Sequence, residues 1–378
     1  MKKCIYALVA MIILLFVICA FTSCLDVNGY VAGGFSEYPQ SSEGLKFSLN
    51  PDGESYTLEG VGECKTKNVI IGSYKGKPVT CIGYGAFYRE FDIKDVTISN
   101  CVTSIADSAF SFCYDLERVT IPNSVVDVGC GLFSNCEKLR EISIGSGVKE
   151  ITLSMFAGCV SLRYVTIPDS VEKIGDLAFS GCGQLDTIII PNNVTTIGYG
   201  AFSECEKLRV VSIGKKVSVI DDCAFRKCSS VGVVSIPNSV ASIGEFAFAY
   251  CTNLSSLEIG SGVKSIGEYA FSDCTGLLTL KIPSGVKTVG DCAFFNCTNL
   301  ALVKISKGVK EIGNGAFCGC TNLAGVTIPE SVTSIGEGAF INCNKYLIIQ
   351  CYAKSKPSGW SSNWKSYDTT VVWGYTGE

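Results

Sequence analysis

The feature that most constrains this chain is a sequence pattern that recurs every 23 residues. Cysteine and phenylalanine each form a column at this step. The cysteines of the column are Cys113, Cys136, Cys159, Cys182, Cys205, Cys228, Cys251, Cys274, Cys297, Cys320 and Cys343. The phenylalanines are Phe87, Phe110, Phe133, Phe156, Phe179, Phe202, Phe225, Phe248, Phe271, Phe294, Phe317 and Phe340. A constant period of this length is the signature of a solenoid, in which similar turns stack on one another.

Each repeat unit contains the pattern of a short strand followed by a bend. The unit reads L-x-x-V-x-I-P-x-S-V-x-x-I-G-x-x-A-F-x-x-C. In one copy Val119 and Ile121 alternate with the polar Arg118 and Thr120, which predicts a strand with one buried face. Pro122 has no N–H group to donate to a neighbouring strand, so we expect the strand to end there. The constant spacing of this pattern along the chain predicts a β-rich repeat solenoid with one parallel sheet.

The repeat resembles the BspA-like leucine-rich repeats, also called the Treponema pallidum type, of bacterial surface proteins. The segment from Ile167 to Phe179, I-P-D-S-V-E-K-I-G-D-L-A-F, is one clean copy. The likeness extends over about residues 44–374 and includes an opening hairpin at 47–58 and a closing segment with Trp360 and Trp364. The resemblance implies a leucine-rich-repeat right-handed superhelix that is capped at both ends. It also implies a function in adhesion and in binding host proteins.

The first residues predict export. Lys2 and Lys3 precede an apolar run over residues 5–21, as in a signal peptide. The following Thr22-Ser23-Cys24 resembles the lipobox of bacterial lipoproteins, in which the peptide is cut before the cysteine and the cysteine is lipidated. This resemblance implies a lipid on Cys24 that anchors the protein to the membrane. An ordinary cleaved signal and an uncleaved anchor remain alternatives, and all three place the rest of the chain outside the cytoplasm. The lipid anchor predicts an extracellular, cell-surface location.

These patterns divide the chain into five parts. The prediction is a signal peptide of the lipoprotein type at 1–24, a flexible linker at 25–44, an N-terminal β-hairpin cap at 45–80, the leucine-rich-repeat solenoid at 81–343 and a C-terminal cap at 344–378. The linker is rich in Gly, Ser, Asn and acidic residues, as flexible tethers are. Caps are expected because an end turn would otherwise expose its core face.

Composition argues against catalysis. The chain contains no histidine, which removes catalytic triads with histidine, histidine bases and histidine metal ligands. Its formal charge of −4 argues against a nucleic-acid partner. Carboxylates such as Asp221, Asp291 and Glu268 recur at one bend, so we expect a solvated edge there instead of a glycosidase pair. The sequence therefore predicts no catalytic, metal or cofactor-binding residues, and a protein that is not an enzyme.

The cysteine column allows two interpretations. Each column cysteine could be a buried free thiol that fills a slot too small for leucine. Export would also permit disulfides between neighbouring turns. The odd number of column members, eleven, and their shared inward position favour the free thiol.

The outward positions of the strands are the candidate binding face. By strand parity these residues include Arg118, Thr120, Glu141, Tyr164, Thr166, Ile189, Val210, Val233, Glu258, Lys281 and Lys304. An apolar group in the middle suggests a contact surface for a protein or a glycan. High β-propensity alone also explains Val and Ile at these positions. The predicted function is a cell-surface binding or adhesion module, and the alternative is a structural spacer or a self-associating surface protein.

Overall fold

Two parallel ladders of strands run along the molecule, and each turn of the repeat adds one strand to each ladder. The computed structural model describes residues 37–377, and within this range it contains strands and no helix. The long-strand ladder consists of β3 Asn68–Ile71, β6 Asp95–Ile98, β8 Arg118–Ile121, β10 Glu141–Ile144, β13 Thr187–Ile189, β15 Val210–Ser212, β17 Val233–Ile236, β19 Ser256–Ile259, β21 Thr279–Ile282, β23 Leu302–Ile305, β25 Gly325–Ile328, β27 Ile348–Cys351 and β28 Thr370–Trp373.

The short-strand ladder lies after the bend that follows each long strand. It consists of β5 Lys77–Ile82, β7 Ser104–Ile105, β9 Asp127–Val128, β11 Glu150–Ile151, β12 Lys173–Ile174, β14 Thr196–Ile197, β16 Val219–Ile220, β18 Ser242–Ile243, β20 Ser265–Ile266, β22 Thr288–Val289, β24 Glu311–Ile312 and β26 Ser334–Ile335. Between β6 and β27 of the long-strand ladder and between β5 and β26 of the short-strand ladder, paired residues are 23 apart, as in the pairs Arg118 with Glu141 and Ser265 with Thr288. The repeat solenoid predicted from the sequence is confirmed.

The sequence predicted one parallel sheet, and the structure adds the short-strand ladder as a second one. Most of the short strands are followed by a glycine, which explains the close stacking of backbones there. A Cβ atom at Gly267 would lie 2.6 Å from the carbonyl carbon of Gly244, and one at Gly290 would lie 2.7 Å from that of Gly267. Real Cβ atoms do not approach this closely, so the absent side chain lets successive bends meet.

The phenylalanine column forms a continuous stack through the core. All twelve side chains are fully buried, and successive ring centroids are 4.8 to 5.6 Å apart with interplanar angles of 2 to 16°. This spacing is close to the separation of paired strands, about 4.8 Å, so the stack and the ladders share one repeat distance. The step of 23 residues therefore aligns backbone and aromatic core together.

The column cysteines are buried thiols with a defined hydrogen bond. Each Sγ donates to the carbonyl of the phenylalanine in the preceding turn, as in Cys113 to Phe87 at 2.9 Å and Cys182 to Phe156 at 3.2 Å. Every cysteine of the described range is a free thiol. Burial raises the pKa of the Cys159 thiol to about 12, which keeps it protonated and unreactive near neutral pH. The interpretation as a buried free thiol agrees with this geometry.

Two positions in each turn have left-handed backbone. One precedes the small residue before the phenylalanine and the other lies two residues after the phenylalanine. The first holds Gly131, Leu177 and Phe246, among others, with φ between 54° and 62°. Left-handed backbone is costly for residues with a Cβ, so each such turn stores local strain that the stacking offsets.

Two consecutive turns in the first half of the solenoid depart from the regular repeat. The small residue of the repeat is replaced by Leu132 and Met155 in consecutive turns, and both side chains are fully buried. The short-strand ladder is interrupted between these turns, because β9 and β11 belong to different sheets. In the same region the long-strand ladder has only an isolated bridge from Ser143 to Thr166. We attribute the interruption to the larger side chains, which push adjacent turns apart.

The N-terminal end is closed by a hairpin and by a short segment before it. Strands β1 Lys46–Leu49 and β2 Tyr56–Gly60 pair antiparallel, and β4 Ser73–Tyr74 pairs with β5. The free edge of β3 is covered, since the Ser42 N–H donates to the Ile70 carbonyl at 2.9 Å and the Ser42 hydroxyl accepts from the Ile70 N–H at 2.9 Å. The linker predicted at 25–44 therefore does not extend to residue 44. Strands β3 and β5 already belong to the ladders, although they lie in the range predicted as a cap.

At the C-terminal end two tryptophans cover the core. The Trp364 ring meets the last phenylalanine, Phe340, edge to face with centroids 5.9 Å apart. The indole N–H of Trp360 donates to the Val332 carbonyl at 3.1 Å. The predicted signal peptide, Cys24 and most of the predicted linker lie outside the described residues. Between residues 37 and 377, no helix has the length and hydropathy needed to cross a bilayer.

Candidate binding face

The outward side chains of the long-strand ladder form the surface that the sequence predicted as a candidate for binding, and we call this surface the binding face. Along β8, β10 and β17 the residues alternate between exposed and buried, because successive strand residues point to opposite sides. The inward set packs on the phenylalanine stack, and the outward set is left in solvent. The eleven residues predicted for this face are all exposed: Arg118, Thr120, Glu141, Tyr164, Thr166, Ile189, Val210, Val233, Glu258, Lys281 and Lys304.

The first part of the binding face carries charges that compensate one another. Arg118 donates from Nε and Nη2 to the two carboxylate oxygens of Asp95 at 2.7 and 3.1 Å. This hydrogen bond raises the pKa of Arg118, with the charge of Asp95 as a second cause. Glu141 lies directly opposite Arg118 in the next strand. Exposed pairs of this kind contribute little stability.

The middle of the binding face is apolar and exposed. The exposed fractions are 60% for Tyr164, 48% for Ile189, 43% for Val210 and 52% for Val233. Val210 and Val233 are direct neighbours in β15 and β17, and Thr187 of β13 adjoins Val210. Large apolar side chains concentrated on one exposed surface mark contact sites more often than scattered ones do.

The last part of the binding face contains a shallow groove and two lysines. Lys281 and Lys304 are direct neighbours in β21 and β23. The groove has a volume of about 360 Å³, and its walls are Thr279, Leu280, Lys281, Leu302, Val303, Lys304, Gly325, Val326, Thr327 and Gln350. Gly325 forms its floor, since a Cβ atom there would lie 2.9 Å from the Leu302 Cδ2 atom.

Some residues of this face were not predicted from the sequence. Leu302, which is 56% exposed, does stand at an outward position that strand parity predicts. Ile348 and Gln350 lie in β27, beyond residue 343 where the sequence predicted the solenoid to end. The strand pattern of residues 347–351, with Leu347, Ile349 and Cys351 facing inward, was the available signal.

A second groove lies along the short-strand ladder and is acidic. It also has a volume of about 360 Å³, and its lining includes Glu268, Asp291, Glu311 and Asn314. Asp291 is held in place, because its Oδ1 accepts from the Asn314 backbone N–H at 2.7 Å and its Oδ2 accepts from Asn314 Nδ2 at 2.9 Å. Asp222 accepts the Glu245 N–H in the same way at 2.6 Å. Carboxylates at this bend therefore bond the backbone of the next turn.

The described residues offer no ready metal centre. Within residues 37–377 there is no group of three or more Cys, Asp or Glu side chains placed to hold a metal ion. Burial raises the pKa of the Cys318 and Cys351 thiols, and this disfavours the thiolate that metals require.

Stacked 23-residue turns with two parallel ladders, a buried cysteine column and an open sheet face define a leucine-rich-repeat solenoid. Comparison with models of protein families identifies the family within this class. The model of the BspA type leucine-rich-repeat region, which spans six copies of the repeat, matches residues 62–163, 105–232, 149–278 and 218–347. The chain therefore belongs to the BspA-type leucine-rich-repeat family.

Several solved structures are similar to this chain. A leucine-rich repeat protein from Bacteroides ovatus is 22% identical with a TM-score of 0.57, and the match covers 89% of this chain and 100% of that one. A leucine rich cell surface protein from Faecalibacterium prausnitzii is 28% identical with a TM-score of 0.43, covering 76% and 94%. A T. pallidum leucine rich repeat protein is 24% identical with a TM-score of 0.38, covering 69% and 90%. No curated protein sequence matches the chain.

Proposed function

We propose that this protein is a cell-surface binding module that contacts proteins or glycans through the binding face, without catalysing a reaction. The supporting observation is the exposed apolar strip of Tyr164, Ile189, Val210 and Val233 in the middle of the binding face. Val210 and Val233 stand in the paired strands β15 and β17, and the buried phenylalanine stack supports these turns from inside. A rigid apolar surface loses little conformational entropy on binding, which favours affinity.

A triple substitution tests this use of the binding face. Tyr164→Ser, Val210→Thr and Val233→Thr together remove three of the four apolar side chains of the strip, and threonine preserves the β-branched shape in the strands. We expect binding of the purified protein to host matrix preparations or to a glycan array to fall by about tenfold or more, since buried aromatic and aliphatic anchors dominate affinity. Circular dichroism and the melting temperature should not change.

The matched control changes exposed apolar residues that lie off the binding face. Val126, Leu153 and Val160 are 63%, 46% and 46% exposed. The variant Val126→Thr, Leu153→Ser and Val160→Thr should bind like the unmodified protein. If the two triple variants lose binding equally, the binding face has no special function. If the strip variant instead loses self-association in sedimentation, the alternative of a self-associating surface protein or spacer is favoured.

We further propose that the protein is exported and anchored through a lipid on Cys24. The support is the sequence of residues 1–24, in which an apolar run ends at Ser23-Cys24. Expression in bacteria with an alkyne-labelled fatty acid should label the protein, and Cys24→Ser should abolish both the label and the membrane fraction. Labelling that persists in Cys24→Ser would contradict the anchor. A hydrolase screen with measurable turnover would likewise contradict the proposal that the protein is not an enzyme.

A further inference from the structure

The ion pairs of this protein follow a rule set by the repeat. Lys94 pairs with Glu117, Lys138 with Asp115, and Arg209 with Asp186, and the partners of each pair are 23 residues apart. The remaining pairs of the described range, such as Lys227 with Glu204, have the same separation. Adjacent turns place equivalent residues side by side, so opposite charges one repeat apart attract and like charges repel.

The C-terminal turns break this rule with a column of lysines. Lys264, Lys287 and Lys310 occupy the same position in three consecutive turns, and all three are exposed. Their stacking is direct, since the Lys287 N–H donates to the Lys264 carbonyl at 2.7 Å and the Lys310 N–H donates to the Lys287 carbonyl at 2.9 Å. Within residues 37–377 no carboxylate forms an ion pair with any of the three.

Two lysines of the binding face lie in the same turns as this column. Lys281 and Lys304 are neighbours of like charge in β21 and β23, and neither forms an ion pair with a described residue. Five residues, which form the bend, separate Lys281 from Lys287. We name the five lysines of these turns the lysine patch: Lys264, Lys281, Lys287, Lys304 and Lys310.

The acidic residues of the same turns form no ion pair with these lysines, although Glu311 directly follows Lys310 in the chain. Glu268, Asp291 and Glu311 line the acidic groove along the short-strand ladder. Asp273 accepts a hydrogen bond from Asn296 Nδ2 at 2.6 Å. Glu258 lies at the border of the lysine patch, one turn before Lys281, and its carboxylate accepts from the Ser235 hydroxyl at 3.4 Å. The lysine patch is thus a set of like charges, uncompensated by ion pairs, on a chain whose net charge is negative.

We propose that the lysine patch and the groove beside it bind a linear anionic polysaccharide. This assignment rests on the proposed function and names a class of partner for it. The column presents a positive charge at every turn, about 4.8 Å apart, which is close to the length of one pyranose residue. The groove adds hydroxyl and amide groups of Thr279, Thr327 and Gln350 that suit sugar hydroxyls.

The spacing argues against an acidic peptide as the partner. An extended peptide rises about 3.3 Å per residue, so side chains on one of its faces recur about every 6.6 Å and do not match the lysine column. The groove is also shallow and open along the sheet, which suits a chain of sugar rings lying across several turns. Because the contacts are ionic, the affinity should fall steeply with salt concentration.

The test uses immobilised heparin as a probe of sulfated polysaccharide. The variant Lys264→Gln, Lys287→Gln and Lys310→Gln should bind heparin about tenfold or more weakly, and its salt dependence should be shallower because fewer counterions are released. Adding Lys281→Gln and Lys304→Gln should weaken binding further. The control, Lys65→Gln, Lys67→Gln and Lys215→Gln, makes the same change in net charge at exposed lysines outside the patch. It should retain most of the affinity, and all variants should keep the melting temperature of the unmodified protein.

The outcomes separate this proposal from the proposed function. Absence of heparin binding by the unmodified protein, or an equal loss in patch and control variants, overturns the polysaccharide site. Poly-glutamate that binds as tightly as heparin and with the same dependence on the patch also overturns it, in favour of an acidic peptide. If the strip variant of Tyr164, Val210 and Val233 loses binding to host matrix while the patch variants do not lose heparin binding, the binding face stands and the polysaccharide site fails.

Discussion

At the scale of single residues, the cysteine column shows how one side chain meets several demands of the repeat. The Phe110 carbonyl accepts from the backbone N–H of Cys113 at 3.2 Å and from Sγ of Cys136 at 3.0 Å. A buried carbonyl is therefore satisfied by two donors, one from its own turn and one from the next turn. Alanine would leave one donor missing and a small void, and leucine would not fit. Cysteine at this position is explained by packing and hydrogen bonding, without any redox function.

The buried thiols predict a loss of stability at alkaline pH. Burial raises the pKa of the Cys159 and Cys251 thiols to about 12 in the folded protein, whereas the pKa of a thiol in the unfolded chain is about 8.5. The contribution of these two thiols to the free energy of unfolding is fully present below about pH 8.5. It is lost as the pH rises toward about 12, because only the unfolded chain releases protons in this window. Each thiol should then lower the free energy of unfolding by about 1.4 kcal/mol per pH unit.

Urea unfolding at about pH 7.5 and about pH 9.5 measures this effect. Substitution of both Cys159→Ala and Cys251→Ala should reduce stability at the lower pH, since each removes a buried side chain. The decrease in the free energy of unfolding from the lower to the higher pH should however be smaller in the double variant, by about 2–3 kcal/mol, because two of the thiols that titrate in this range are gone. Equal losses in the two proteins would contradict the assignment of buried, protonated thiols.

At the scale of elements, each turn is shaped by two left-handed positions as much as by its strands. Gly131 and Gly181 occupy them with φ of 62° and 73°, whereas Leu177 and Tyr250 adopt φ of 55° and 62° despite their side chains. The turn geometry is therefore imposed by stacking and not by local preference, since β-carbon-bearing residues accept it in many turns. Glycine at such a position should lower the backbone strain, and a residue with a Cβ atom should raise it.

A pair of glycine substitutions isolates this backbone effect. Gly131→Ala places a Cβ at φ of 62° with the nearest heavy atom, Ser108 Oγ, 3.5 Å away, so no clash accompanies the change. We expect a loss of about 1 kcal/mol. Gly183→Ala is the control, because Gly183 lies outside the left-handed region and nothing lies within 4 Å of an added Cβ. It should be neutral or slightly stabilising in thermal unfolding. A loss as large for Gly183→Ala would contradict the strain argument.

The limits of sequence interpretation also lie at the scale of elements. The phenylalanine stack and the outward set from Arg118 to Lys304 follow from period and parity, so the sequence was sufficient to place them. The short-strand ladder was not predicted, because two-residue strands give no alternation to detect. The floor at Gly325 and the bond from Asn314 to Asp291 depend on neighbouring turns in space. Such features become visible only when the stacking distance is known.

At the scale of the whole molecule, stability is shared between neighbouring turns. Each turn contacts the turn before it and the turn after it, so the ends have only one neighbour and need covers. At the N-terminal end the Ser42 backbone and hydroxyl bond the edge of β3. At the C-terminal end Trp360 and Trp364 meet edge to face with centroids 4.9 Å apart, and the pair is almost fully buried. The stack of phenylalanines thus ends on aromatic side chains and not on water.

Removal of the Trp364 side chain, which covers the last phenylalanine, should therefore loosen the last turns while the middle of the solenoid stays folded. Trp364→Ala exposes one face of Phe340 and leaves a cavity, at a cost of about 3–5 kcal/mol. Because coupling passes only between adjacent turns, amide hydrogen exchange should accelerate at Phe340 and Ile335 and remain unchanged near Phe202. Tyr367→Ala, at a fully exposed aromatic of the same cap, should alter neither region. Uniform acceleration along the chain in Trp364→Ala would instead mean that the solenoid unfolds as one cooperative unit.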